Sequence, residues 1–193
     1  MVNVIAIGDS LTNYGFQKDG WATLIQKAYP TIHIQNFGKN GISSSEMVKQ
    51  LPSFVDENAI RYANLATIWL GTNDVLRYYE QTISFQQYYH NIVTIIHYLK
   101  YINPSLQVIL IGVPVSKFSV NQFISKEESF SYKFNSQLLN LSKHYHLPFV
   151  NLMDNYDGNE ILLEDLYDGI HMNETGQKKT FFKIINVLKH FVQ

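Results

Sequence analysis

Four short segments carry residues that can do chemistry together: Gly8-Asp9-Ser10-Leu11, Asn36-Phe37-Gly38-Lys39-Asn40-Gly41, Gly71-Thr72-Asn73-Asp74 and Asp168-Gly169-Ile170-His171. A serine hydroxyl becomes a nucleophile when a base takes its proton and a third group fixes the tautomer of that base. Ser10, His171 and Asp168 are such a set. Asp168 and His171 are three positions apart, so one helical-type turn brings the carboxylate to an imidazole N–H. The charge that develops on a carbonyl oxygen under attack needs preorganised donors. The backbone N–H groups of Ser10 and Gly41 and the side-chain amide of Asn73 can supply three. Glycine suits such a place because a bare backbone approaches the reacting atoms closely.

Each segment taken alone has a plainer reading. Gly-Asp-Ser after a strand is an ordinary helix start, with Asp or Ser capping free backbone N–H groups. Gly-Thr-Asn-Asp is turn chemistry, and a loop such as 36–41 needs glycine for its own sake. Asp168 and His171 can be a helix N-terminus beside a surface imidazole. Asp9 is read as fixing its loop rather than reacting. Asp154, Asp157 and Asp165 compete with Asp168 as the orienting acid, but none stands three residues from His171. Of the other histidines, His33, His90, His97 and His190 read as packing or surface residues. His144-Tyr145-His146 resembles a metal pair, without the carboxylate cluster that would complete it.

The elements that must position these residues follow from the apolar pattern. Val4–Ile7, Ile32–Asn36, Leu65–Leu70, Gln107–Val113 and Phe149–Leu152 read as strands. Between them Trp21–Tyr29, Ser44–Asn58 with Pro52 inside it, a long helix opened by a Ser84–Gln87 capping box and closed at Asn103-Pro104, and Phe130–His146 read as helices. The chain closes with a helix from about Glu174 to Phe191. Such alternation predicts an α/β fold: a three-layer α/β/α, flavodoxin-like parallel five-stranded sheet with helices on both faces. Ligands of such sheets bind at the carboxyl ends of the strands, where strand order reverses. All four segments fall at that rim. Tyr78, Tyr79, Phe118 and Phe123 are placed in the loops after strands three and four, where they are expected to form a substrate-binding acyl or sugar platform.

Composition narrows the field. The 193 residues suit a single domain, residues 1–193. Fifteen Lys plus Arg against 16 Asp plus Glu, a net charge of −1, is no footprint of a nucleic-acid binder. Cysteine is absent, which excludes disulfides, cysteine nucleophiles and thiolate metal sites. No apolar run approaches the roughly 18 residues of a membrane span, and the first residues lack a basic, longer leader, so a cytoplasmic protein without membrane insertion is expected. Oligomeric state leaves no trace in the sequence.

The segments together resemble the SGNH hydrolases, also called GDSL esterases or lipases. Residues 7–12 resemble the first family block, 36–41 the second, 71–74 the third and 168–173 the last, so the resemblance runs from residue 7 to residue 173. The family's oxyanion glycine follows the asparagine by five positions, which selects Gly41 over Gly38. The resemblance implies hydrolysis of small-molecule carboxylic esters through an acyl-enzyme, with no metal or organic cofactor. It implies Ser10, Asp168 and His171 as triad and Ser10, Gly41 and Asn73 as oxyanion hole. Family members include lipases, lysophospholipases, thioesterases and sugar deacetylases; a short-acyl or O-acetyl substrate is the expectation here. Two departures stand out. Met172 replaces the proline common after the histidine, which puts local rigidity in question, and Lys39-Asn40 replaces small or apolar residues at the rim. An α/β-hydrolase elbow needs a second glycine where Thr12 stands. A flavodoxin-like binding module of another class would leave the Asp168–His171 pair idle and lacks a phosphate-binding glycine motif.

Overall fold

The computed structural model describes residues 1–120 and 129–191. In chain order the elements are β1 (Val2–Gly8), α1 (Ser10–Tyr14), α2 (Trp21–Ala28), β2 (Ile32–Gly38), α3 (Ser44–Phe54), α4 (Glu57–Tyr62), β3 (Leu65–Trp69), α5 (Thr72–Tyr79), α6 (Phe85–Ile102), β4 (Gln107–Ile111), α7 (Lys117–Val120), α8 (Phe130–Tyr145), β5 (Phe149–Val150) and α9 (Glu174–Leu188). The strands form one all-parallel sheet in the order β2-β1-β3-β4-β5. After β2 the chain crosses to the other side of β1, so strand order reverses between β1 and β3, and a crevice opens at their carboxyl ends.

β1, β3 and β4 read as near-continuous apolar runs because both faces of the sheet are covered there, whereas the edge strand β2 alternates buried and exposed residues. Alternate residues of β1 serve opposite layers. Val4 and Ala6 pack with Trp21 and Ile25 of α2 and Ile184 and Leu188 of α9. Ile5 and Ile7 pack with Met47 of α3, Ile92 and Leu99 of α6 and Leu138 of α8. Burying one such side chain contributes about 1.5–3 kcal/mol.

Several expected boundaries move. The single helix predicted over Ser44–Asn58 is two helices. Pro52 lacks the N–H that would bond a carbonyl one turn back, α3 stops at Phe54, and Asp56 caps a separate α4 by accepting from the Asn58 N–H. Residues 72–79, read as turn and loop, form α5, so Tyr78 and Tyr79 stand on a helix. Phe118 likewise lies in the short α7. β5 is two residues long rather than four.

Candidate active site

Ser10 opens α1 directly after β1. At Gly8 a Cβ would meet the Trp69 carbonyl oxygen at 2.4 Å, so only glycine lets the chain turn this close to β3. Asp9 is the N-cap: its Oδ1 accepts from Leu11 N at 2.9 Å. The plain helix-start reading of Gly-Asp-Ser is therefore also correct, and because Asp9 does the capping the Ser10 hydroxyl is left for another partner. That partner is His171 Nε2, at 2.9 Å. The other ring nitrogen, Nδ1, lies 2.6 Å from Asp168 Oδ2. An ionised carboxylate only accepts, so Nδ1 carries the proton and Nε2 presents its lone pair to the serine.

Asp168 is itself held. Its Oδ1 accepts from the N–H groups of Ile170 (2.9 Å) and His171 (2.7 Å). Partial burial pushes its pKa up, but the His171 and Ile170 hydrogen bonds outweigh that, and the pKa falls to about 2. Lys117 Nζ donates to the Asp168 carbonyl at 3.0 Å. The competing acids are engaged elsewhere: Asp154 and Asp157 pair with the buried Lys183, and Asp165 pairs with Lys179. Met172 does not loosen the segment. Its side chain is buried, its sulfur accepts from Thr180 Oγ1, and Asn173 next to it caps α9 and bonds back to Glu164 and Asp165.

The loop after β2 carries Gly41 at φ +74°, and no atom lies within 4 Å of where its Cβ would stand. Gly38 differs: a Cβ there would strike Asn13 N at 2.5 Å, so it is a packing glycine. Asn36 donates to Asn13 and Asn13 to Asn40, lacing the loop to α1, while Lys39 turns away to Gln50 and lies over the Phe54 ring. Two consecutive residues of α5 clamp the same loop. Asn73 Nδ2 donates to the Ile42 carbonyl at 3.0 Å. Asp74 accepts from the Ser44 N–H and, at 2.6 Å, from its hydroxyl. The Asn73 amide has a second N–H, which can serve an oxyanion beside the Ser10 and Gly41 N–H groups.

Beneath the serine lie two buried carboxyls. Desolvation raises the Asp9 pKa to about 7, the Leu11 N–H opposes that, and the charge of Asp74 adds to the rise. Desolvation also raises Asp74, against its Ser44 hydrogen bonds. Asp9 Oδ2 is buried with no hydrogen-bond partner among the described residues.

Two rings escaped the sequence reading. Tyr14, at the end of α1, has its ring 4.8 Å from the His171 ring, and Tyr167 lies nearly parallel to the imidazole at 5.8 Å and 22°. The signal was available: Tyr14 is one helical turn beyond Ser10, and Tyr167 adjoins Asp168. Of the rings expected to form the platform, three lie among the described residues. Tyr78 is stacked on Phe85 and edge-on to Phe130 and Phe134, an aromatic cluster of the core layer, rather than lying in a loop. Tyr79 is exposed on α5, and Phe118 lies under Lys117 Nζ. Phe123 lies outside the described residues. Among the described residues, no group of three or more His, Asp or Glu side chains is placed to hold a metal ion, and no helix is long and apolar enough to cross a membrane.

Solved structures with the same fold include an acetyl xylan esterase, 16% identical over 96% of this chain and 98% of the other with a TM-score of 0.78. A possible lipase from Chitinophaga pinensis is 17% identical over 99% of each chain, with a TM-score of 0.78. A mutant acetyl-xylooligosaccharide esterase from Geobacillus is 18% identical over 95% and 92% of the two chains, with a TM-score of 0.74. No curated protein matches the sequence. The family model for GDSL-like lipases and acylhydrolases matches residues 6–179, nearly the whole chain. The chain belongs to the GDSL-like lipase/acylhydrolase family and is a carboxylic ester hydrolase.

Proposed function

We propose that residues 1–193 form one catalytic domain that removes short acyl groups, acetyl foremost, from hydroxyl-bearing substrates. The observation that carries this reading is the unbroken chain of hydrogen bonds from Ser10 Oγ through His171 to Asp168, at 2.9 and 2.6 Å. Ser10 attacks the ester carbonyl as His171 Nε2 takes its proton, and Asp168 stabilises the imidazolium that forms. The Ser10 and Gly41 N–H groups and the Asn73 amide receive the oxyanion. His171 then protonates the departing alcohol, and water, activated by the same imidazole, releases the acid. The acetyl preference draws support from the acetyl xylan and acetyl-xylooligosaccharide esterases that share the fold.

The test is hydrolysis of 4-nitrophenyl esters from acetate to decanoate by the wild type and Ser10→Ala. Acetate is expected to be the best substrate, with at least about a 10³-fold loss of kcat in the variant. A variant that keeps its rate, or a preference for decanoate, would refute the corresponding part of the reading.

A further inference from the structure

The turn that bears Asp168 has little to hold it from within. The Asp168 side chain is 39% exposed, so packing does not immobilise the carboxylate. Gly169, next to it, takes φ +85° and has no side chain to wedge in place. The Ile170 and His171 N–H groups donate to Asp168 Oδ1, and Tyr167 N donates to the His171 carbonyl, all inside the turn. Among the described residues, both hydrogen bonds that reach the Asp168–Gly169 backbone from outside come from Lys117. Its N–H donates to the Gly169 carbonyl at 2.8 Å and its Nζ to the Asp168 carbonyl at 3.0 Å. The lysine stem lies flat on the turn: a Cβ at Gly169 would meet Lys117 Cδ at 2.7 Å and Cβ at 3.0 Å.

Lys117 is itself anchored. It opens α7, so its N–H has no partner within that helix and is free for Gly169. Ser116 before it is buried; its N–H donates to the Ser119 hydroxyl, which donates back to the Ser116 carbonyl, both at 2.9 Å. Asn135 of α8 brackets Val113, accepting from its N–H at 2.7 Å and donating to its carbonyl at 2.8 Å. Ser131 donates to the Pro114 carbonyl at 2.8 Å. An exposed lysine ordinarily keeps its ammonium in water and its rotamers free. This exposed lysine gives up that freedom to hold two consecutive carbonyls of the turn.

We propose that Lys117 is a positioning residue for ester hydrolysis: acting through the Asp168–Gly169 backbone, it keeps the carboxylate within bonding distance of His171 Nδ1. The inference rests on the Ser10–His171–Asp168 reading above. Asp168 must stay in place to hold the tautomer whose Nε2 faces Ser10. A small misplacement of such a group costs far more in rate than in stability.

Lys117→Met removes the ammonium and keeps an unbranched stem, whereas Lys117→Arg keeps a charged donor. With 4-nitrophenyl acetate, Lys117→Met should lower kcat by about tenfold and leave KM within about twofold. Its Tm should fall by no more than about 3 °C, as for other surface substitutions. Lys117→Arg should recover most of the rate. The proton between His171 Nδ1 and Asp168, in so short a charge-assisted bond, is expected far downfield in the proton NMR spectrum. In Lys117→Met that signal should broaden or vanish at a temperature where wild type retains it, a change that a merely structural role would not produce. A full kcat, or a downfield signal as persistent as in wild type, overturns the role. So does a raised KM at unchanged kcat, which would make Lys117 a substrate contact, or a Lys117→Arg as slow as Lys117→Met. If Ser10→Ala keeps its rate, the nucleophile assignment fails instead. An inactive Ser10→Ala beside a fully active Lys117→Met overturns the positioning role alone.

Discussion

Asp9 is a residue whose chemistry departs from what its type suggests. A carboxyl that titrates near 7 when folded and near 3.8 when unfolded carries a linkage with a definite sign. Between those values the unfolded state releases a proton the folded state keeps, so Asp9 costs stability as pH rises through that window. Asn at this position keeps the cap acceptor for the Leu11 N–H and removes the titration. The melting temperature of Asp9→Asn should therefore gain on wild type between pH 4.5 and 7.5; a constant difference across that range would refute the raised pKa. Gly41 supports a second prediction at this scale. Alanine there meets no neighbour but must hold φ +74°, at a cost of roughly 1–2 kcal/mol. Gly41→Ala should fold, melt a few degrees lower and lose most of its esterase activity; full activity would remove Gly41 from the oxyanion hole. The hydrogen-bonded set of Ser10, His171 and Asp168 was legible in the sequence because each residue sits in a short block with its own spacing. The Asp9 shift was not, because it arises from burial beside Asp74, a residue 65 positions away that only the fold brings near.

At the level of elements, α5 is a clamp. Asn73 holds the Ile42 carbonyl and Asp74 holds Ser44, so one helix start fixes the loop that bears Gly41. Asn91 of α6 reinforces it by donating to Ser44 and Ser45 hydroxyls. Asp74→Ala would leave the Ser44 N–H buried without its acceptor, a loss of about 1–3 kcal/mol, or about 5 °C in Tm for a chain of this size. The same variant should lower kcat for 4-nitrophenyl acetate more than it raises KM, since the loop and not the substrate has moved. An unchanged kcat would show that the loop holds its shape without the clamp. α5 was hidden in the sequence for a physical reason: its first residues, Gly71-Thr72-Asn73-Asp74, are turn formers, and Gly71 takes φ +136° against Val113 and Tyr88. The break between α3 and α4 was similarly obscured, because apolar spacing continues across Val55 while Asp56 starts a new cap. α6, by contrast, announces itself with its Ser84 cap and an unbroken apolar stripe.

For the whole molecule, the strands could be read from their apolar patterns, but strand order could not, since β1, β3 and β4 are buried on both faces and carry no mark of their neighbours. The order β2-β1-β3-β4-β5 brings the ends of β1, β2 and β3 together, and the Asp168–His171 segment just ahead of α9 meets Ser10 from the far end of the chain. The Ser10–His171 hydrogen bond joins positions 161 residues apart. On the reading proposed above, turnover thus requires that the two ends of the chain have docked. During refolding from denaturant, helical circular dichroism should recover before esterase activity, because local helices form ahead of contacts distant in sequence. Simultaneous recovery of both signals would mean that the two ends of the chain meet as early as the helices form. The enzyme carries an internal clock for its own assembly, one that starts to run only when the first strand and the final helix have found each other.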